Sequence, residues 1–146
     1  MSITTLCPYD EDGRARRTDT WFVYQAFAEM PSNHVLVKVG ISTKPFERLM
    51  AIYCNSPFLI ELACFAPAGG KKRALGIESR TLSEFRGYAT RGEWLMLPTT
   101  AEVKRSFAER SSTIFKAVTG SPPPWRRVTG DQIRAQIAFS IKKFAA

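Results

Sequence analysis

The stretch from residue 35 to residue 48 constrains the fold of this chain more than any other stretch. It opens as an apolar run rich in β-branched residues, which is typical of a buried strand: Val35, Val37 and Val39. Gly40 then permits a turn or a close approach to the backbone, and a helix is expected to begin at Pro45, because proline fits the first helical position. The pattern therefore places Arg48 in the first turns of a helix, behind the end of a strand, where a phosphate-binding site can be built.

The neighbouring segments predict a β-β-α-β order around this strand. Residues 21–27 are apolar and aromatic, and we expect them to form an antiparallel hairpin with it through a longish polar link over residues 28–34. A third strand is expected at residues 58–65, and a helix and a short final strand are expected at residues 74–85 and 93–97. The fold predicted is α+β, with a small three-stranded mixed or antiparallel sheet flanked by helices.

The sequence predicts three parts in the chain. Residues 1–20 form an N-terminal extension, residues 21–98 form the α+β domain, and residues 99–146 form a basic helical C-terminal extension with a proline-rich break at residues 121–124. Thr99 to Glu102 has the pattern of a capping box, and the helix after it carries an apolar face: Val103, Phe107, Ile114 and Val118. A last helix is expected over residues 131–144, with a second apolar stripe: Ile133, Ile137, Ile141 and Phe144.

Composition places the chain among soluble globular proteins of the cell interior. Its 146 residues are 45% hydrophobic and 23% charged, and no apolar run approaches the roughly 20 residues of a membrane span. Three cysteines without a CxxC pair and a single histidine argue against a zinc site or a disulfide framework. The first 19 residues lack an apolar signal core. We expect a protein of the cytoplasm, in a bacterial or phage-infected cell.

Several short segments resemble the GIY-YIG nuclease superfamily when they are taken in chain order: Phe22-Val23-Tyr24, Lys38-Val39-Gly40-Ile41-Ser42, Arg48, Asn55-Ser56-Pro57, Glu78 and Arg91-Gly92-Glu93-Trp94. More narrowly, the chain is similar to the phage and bacterial branch in which the second motif reads Lys-Ile-Gly. The resemblance covers about residues 21–98. It implies a metal-dependent endonuclease that hydrolyses DNA with Mg²⁺ or Mn²⁺, without a membrane or a small-molecule cofactor.

The resemblance also implies a role for each of three side chains. Glu78 would hold the metal, Arg48 would contact phosphate, and Tyr24 would transfer a proton or position water. Phosphodiester hydrolysis requires such groups, and one glutamate suffices because Mg²⁺ is typically held by one or two carboxylates. Each assignment has an alternative: a tyrosine with its ring in the core, a solvated arginine or a partner of a nearby glutamate, and an ordinary surface carboxylate.

Two positions depart from the family pattern. Lys38 stands at the second tyrosine position, where it could bind phosphate or the leaving oxygen, take a proton if its pKa were lowered, or simply reach solvent. Leu82 stands one turn after the metal glutamate, where many relatives have histidine. The chain's histidine, His34, is expected in an exposed loop. We expect Trp94 to fill the core, whereas Glu93 could pair with an arginine or approach the site.

Basic residues in two regions predict a DNA-binding surface. Nine basic and three acidic side chains lie beyond residue 98, so the C-terminal extension carries most of the net charge of +8. This extension could follow a phosphate backbone while Trp125 stacks on a base. A second basic cluster is expected in the loop before the Glu78 helix. The full set of predicted DNA-binding residues is Lys44, Lys71, Lys72, Arg73, Trp125, Arg126 and Arg127.

Two other functions remain compatible with the sequence. The first is a catalytically inactive nucleic-acid-binding module of the same fold. The second is a protein-interaction domain in which the isoleucine stripe of the C-terminal helix docks to a partner chain.

Overall fold

A five-stranded antiparallel sheet carries two helices on each face. The computed structural model describes residues 20–90 and residues 94–145, with side chains up to Lys142. The strands are β1 (Trp21–Met30), β2 (His34–Ser42), β3 (Ile60–Gly69), β4 (Trp94–Pro98) and β5 (Arg126–Thr129). The helices are α1 (Pro45–Asn55), α2 (Lys71–Glu84), α3 (Ala101–Thr119) and α4 (Gly130–Ala145), and a 3₁₀ turn at Arg86–Tyr88 follows α2.

The α+β class is confirmed, but the prediction of three strands is wrong. The strand order is β4-β2-β1-β3-β5, and every neighbouring pair is antiparallel. The central three strands are those that the sequence predicts most strongly, and β4 and β5 extend the sheet at its two edges. The sequence does not predict β5, because its four residues include two arginines and a single buried side chain, that of Val128.

The hairpin between β1 and β2 is tighter than its polar link suggests. The strands continue to Met30 and resume at His34, so three residues form the loop instead of the longer link. Asn33 closes the turn with a φ of 58°, a left-handed conformation that asparagine tolerates better than most residues do. His34 begins β2, and its ring nitrogen Nδ1 lies 2.8 Å from the carbonyl oxygen of Ser32.

The central strands are mostly apolar because both of their faces are covered. On β1, side chains alternate between two cores, with Phe22 and Tyr24 in one and Val23 in the other. Helices α2 and α3 cover the Val23 face, and helices α1 and α4 cover the Tyr24 face. A strand that is buried on both sides loses the simple polar and apolar alternation of a half-exposed strand.

Helix α3 has the apolar face that its sequence predicts. Phe107 is buried, and three further side chains of that face pack against the same core while partly buried: Val103, Ile114 and Val118. Its cap is Thr100, whose hydroxyl oxygen accepts a hydrogen bond from the backbone N–H of Val103 at 3.3 Å. The sequence pattern places the cap one residue earlier, at Thr99, which instead donates a hydrogen bond to the carbonyl of Asn33.

The end of the chain belongs to the same sheet and core as residues 21–98. Strand β5 pairs with β3, and Val128 and Ile133 are 2% and 0% exposed. Of the predicted stripe on α4, Ile137 is half-buried, whereas Ile141 is 62% exposed. The Phe144 side chain lies outside the described residues. The first half of the predicted stripe, Ile133 and Ile137, therefore packs against the core.

Candidate active site

A cavity of about 380 Å³ lies beside the end of β2, between α1 and α2. Four residues are predicted to be catalytic, namely Tyr24, Lys38, Arg48 and Glu78, and all of them except Lys38 line this cavity. These three come from β1, α1 and α2, on both sides of the sheet. The other lining residues are Val39, Gly40, Ile41, Leu82, Arg86, Ala89, Trp94 and Leu95.

Tyr24 lies across Gly40 of the neighbouring strand. The two residues are opposite each other in the β1–β2 register, and the Tyr24 side chain is 2% exposed. A Cβ atom at position 40 would overlap the hydroxyl oxygen and the adjacent ring carbons of Tyr24. The glycine therefore creates the space in which the phenol ring lies, with its hydroxyl at the cavity wall.

The substitution Gly40→Ala should consequently cost stability, although alanine is normally the better strand residue. We expect a loss of about 1–3 kcal/mol in the free energy of unfolding, because the ring of Tyr24 must move or the strands must separate. Denaturant unfolding of both proteins measures this loss. In a Tyr24→Ala background the same substitution should cost clearly less, and an equal cost in both backgrounds would mean that the ring does not exclude the methyl group.

Helix α1 presents Arg48 to the cavity. Its buried face consists of Pro45, Leu49 and Ile52, so Arg48 stands beside that face with an exposed side chain. Its Nε–H donates a long hydrogen bond of 3.4 Å to the Tyr24 hydroxyl oxygen. Because the phenolic oxygen is the acceptor in this contact, the hydroxyl retains its own hydrogen as a donor.

Helix α2 presents Glu78 from the other side of the sheet. Its buried face includes Ala74, Ile77 and Thr81, and Glu78 lies next to this face with a half-buried side chain. Leu82, one turn later, is half-buried and also lines the cavity. The position at which many relatives have histidine is thus part of the cavity wall, but here it is apolar.

Lys38 and Trp94 lie together at the rim of the site. They face each other across β2 and β4, and the Lys38 ammonium is 5.6 Å from the centre of the indole ring. The expectation of a core role for Trp94 holds in part, since the ring is half-buried against the Tyr24 core and also lines the cavity. Lys38 itself is not among the lining residues. Arg91, Gly92 and Glu93 lie outside the described residues.

Arg86 is a cavity residue that the motif order does not identify. It lies in the 3₁₀ turn after α2 and has an exposed side chain. The signal that could have found it is its spacing, because Glu78, Leu82 and Arg86 are four residues apart and share one side of a helical path. Among the residues that the structure describes, Arg48 and Arg86 are thus the arginines that line the cavity.

The predicted DNA-binding residues lie in separate places. Lys44 precedes α1, four residues before Arg48, and its ammonium is 4.0 Å from the Glu47 carboxylate. The cluster Lys71–Arg73 forms the first turn of α2 instead of the predicted loop, with Lys71 5.2 Å from the centre of the Trp21 ring. The helix begins earlier than its apolar periodicity suggests because lysine and arginine are good helix formers.

The basic residues of β5 lie at the far edge of the sheet from the cavity. Three strand spacings, about 14 Å, separate β5 from β2. Arg126 and Arg127 are consecutive strand residues, so their side chains leave opposite faces of the sheet. Trp125 is half-buried, with its ring centre 6.0 Å from that of Phe115. Its predicted base-stacking role would have to use the part of the ring that remains accessible.

The cavity residues fit a divalent cation held mainly by water and one carboxylate. Glu78 offers the hard oxygen ligand that Mg²⁺ and Mn²⁺ accept, and it is half-buried beside open space. Among residues 20–90 and 94–145, no cluster of three or more histidine, cysteine, aspartate or glutamate side chains could enclose a metal.

Comparisons with protein-family models, curated proteins and solved structures find no match to this chain. No helix in the part of the chain that the structure describes combines the length and the apolar character needed to cross a membrane.

Proposed function

We propose that this protein is a metal-dependent endonuclease of the GIY-YIG type that hydrolyses DNA phosphodiester bonds in the cavity between α1 and α2. The observation that carries the proposal is the meeting of Tyr24, Arg48 and Glu78 in one cavity. These residues are far apart in the sequence and lie on three different elements. Their meeting in one cavity supports a shared role for the three side chains.

The cationic groups of the cavity suit the charge that develops during phosphodiester hydrolysis. The planar fork of Arg48 can contact two phosphate oxygens, and Arg86 can provide a second contact from the opposite wall. The Tyr24 hydroxyl accepts a hydrogen bond from Arg48, so its own hydrogen can orient a water molecule or the scissile phosphate. Lys38 lies close enough to the rim to contact a neighbouring phosphate of the strand.

Glu78 supplies the negative charge that a metal ion needs in a cavity lined by arginines. Its carboxylate is the group in the described cavity that would hold Mg²⁺ or Mn²⁺. A bound cation stabilises charge on phosphoryl oxygens and lowers the pKa of a bound water. Because the apolar Leu82 cannot take part in proton transfer, we assign the positioning of the attacking water to Tyr24, which also lines the cavity.

The charge pattern of α2 supports a polyanionic partner. Lys71, Lys72 and Arg73 occupy its first turn, where the positive end of the helix dipole makes cations unfavourable. DNA phosphates would offset this repulsion, and the same helix carries Glu78 two turns later. Lys44 and Arg48 extend the basic surface along α1 on the other side of the cavity.

The substitution Arg48→Lys tests the proposal. It keeps the charge but removes the bidentate fork, so we expect the rate of DNA cleavage to fall by about a hundredfold. The assay measures cleavage of plasmid and branched DNA with Mg²⁺ or Mn²⁺. Arg80→Lys on the exposed side of α2 is the matched control and should cleave like the parent protein. If Arg48→Lys also cleaves like the parent, Arg48 does not act in the reaction.

An inactive DNA-binding module of the same fold is the second candidate. The apolar Leu82 in the cavity wall is the observation that favours it. In that case the parent protein would bind DNA and cleave none of the substrates with either metal. The protein-interaction alternative has less support, because it rests on two apolar side chains of α4, Phe139 and Ile141, which are each 62% exposed.

A further inference from the structure

A second cavity, of about 400 Å³, lies between the sheet and α3. It is on the Val23 face of the sheet, and Tyr24 and Arg48 do not line it. Its walls are mainly apolar and include Phe27, Val37, Leu62, Leu97, Phe107 and Trp125. Its size falls within the range of about 300–1,000 Å³ that is typical of small-molecule sites.

Two buried polar side chains line this cavity, Gln25 and Ser111, and the Ser111 hydroxyl already donates a hydrogen bond to the carbonyl of Phe107 at 2.6 Å. Gln25 is 5% exposed, and its Oε1 atom accepts a hydrogen bond from the Cys64 thiol, with 3.7 Å between sulfur and oxygen. Burial raises the pKa of Cys64 to about 12, so the thiol is protonated at neutral pH and can donate. The amide oxygen of Gln25 thus faces the sulfur.

The amide nitrogen of Gln25 is consequently left with two hydrogens to donate. Within residues 20–90 and 94–145, neither hydrogen has a partner. Buried polar groups are nearly always hydrogen-bonded, so an unsatisfied donor at a cavity wall points to an acceptor that comes from outside the chain. A ligand that carries such an acceptor would complete the site.

The charges around the cavity argue for an uncharged ligand. Of the described residues, two cationic and two acidic ones line it: Arg127, Lys104, Glu29 and Glu61. All four side chains belong to exposed residues, whereas Gln25 is buried. Glu61 is also engaged by Arg134 at 3.3 Å. The balanced charges favour neither an anion nor a cation.

We propose that this second cavity binds a small, uncharged, largely apolar molecule with a carbonyl-type hydrogen-bond acceptor. The acceptor meets the amide nitrogen of Gln25, and the apolar body lies against Phe27, Leu97 and Phe107. This site is separate from the proposed nuclease centre and does not depend on it.

Titration of the full chain with two probe molecules of equal shape tests this site. The probes are 2-acetylnaphthalene, which carries a ketone, and 2-ethylnaphthalene, which does not. Backbone amide NMR shifts follow the binding, and saturable shifts should be confined to cavity residues such as Phe27, Leu97 and Ser112. We expect the ketone to bind about threefold to tenfold more tightly, because one net hydrogen bond contributes that factor.

The substitution Gln25→Met removes the donor and keeps an unbranched side chain. It should abolish the preference for the ketone while the hydrocarbon still binds. Gln136→Leu, an exposed glutamine on α4, is the matched control and should preserve the preference. Absence of saturable shifts up to the solubility limit, or equal binding of both probes to the parent chain, would overturn the proposal and leave water as the partner of Gln25. The comparison of probes on the parent chain decides the question even if the Gln25 variant does not fold.

Discussion

The variant Glu78→Gln should lose at least about a thousandfold of the metal-dependent cleavage rate, which corresponds to about 4 kcal/mol of transition-state stabilisation. The substitution keeps the size of the side chain and its place on α2, but an amide is a weaker ligand for Mg²⁺ than a carboxylate is. The fold should change little, because Glu78 is half-buried and is not one of the buried residues of α2. The affinity for DNA should change little as well.

Two measurements separate this effect from general damage to α2. Glu84→Gln lies on the same helix, and its carboxylate contacts Arg110 at 2.6 Å without lining the cavity. This control should cleave at the parent rate. Titration of Mn²⁺ by calorimetry should show weaker binding to Glu78→Gln than to either other protein. Undiminished cleavage by Glu78→Gln would remove this carboxylate from the mechanism.

Part of the candidate cavity could be predicted, because three of its residues belong to motifs in a recognisable order. The order of Tyr24, Arg48 and Glu78 along the chain carries the resemblance, and the three side chains line one cavity. Arg86 could not be predicted from the motif order, because it reaches the site through a 3₁₀ turn whose direction depends on packing. The second cavity gives no sequence signal, because Gln25 stands within an apolar strand. Whether its side chain faces a cavity depends on how α3 packs on the sheet.

The fold was predictable where an element is long and apolar. Strands β1, β2 and β3 have nine or ten residues each, and their largely apolar composition alone indicates strands. Strand β5 has four residues, and its place in the sheet follows from pairing with β3. Such an edge strand depends on a neighbour that is distant in sequence, which local patterns cannot reveal.

Removal of every residue after Gly120 should prevent stable folding, although the proline-rich break makes the tail look separable. The deletion would remove Val128 and Ile133, whose burial contributes about 3–6 kcal/mol together. It would also expose Ile60 and Phe65, which pack in the same core. Total stabilities of domains are only about 5–15 kcal/mol, so this loss is a large share.

A second truncation and a point substitution make this expectation specific. A chain ending at Ser140 keeps Ile133 and Ile137 and loses the exposed Ile141, so it should unfold close to the parent midpoint. Ile133→Ala in the full chain should cost about 2–5 kcal/mol, because it leaves a cavity where the side chain is 0% exposed. Circular dichroism and thermal unfolding measure all three proteins. If the chain ending at Gly120 folds with parent stability, β5 and α4 contribute nothing to the stability of the core. If this chain does not fold, β5 is an integral part of the sheet that carries Tyr24. The basic residues of β5 can then contact DNA only together with that sheet.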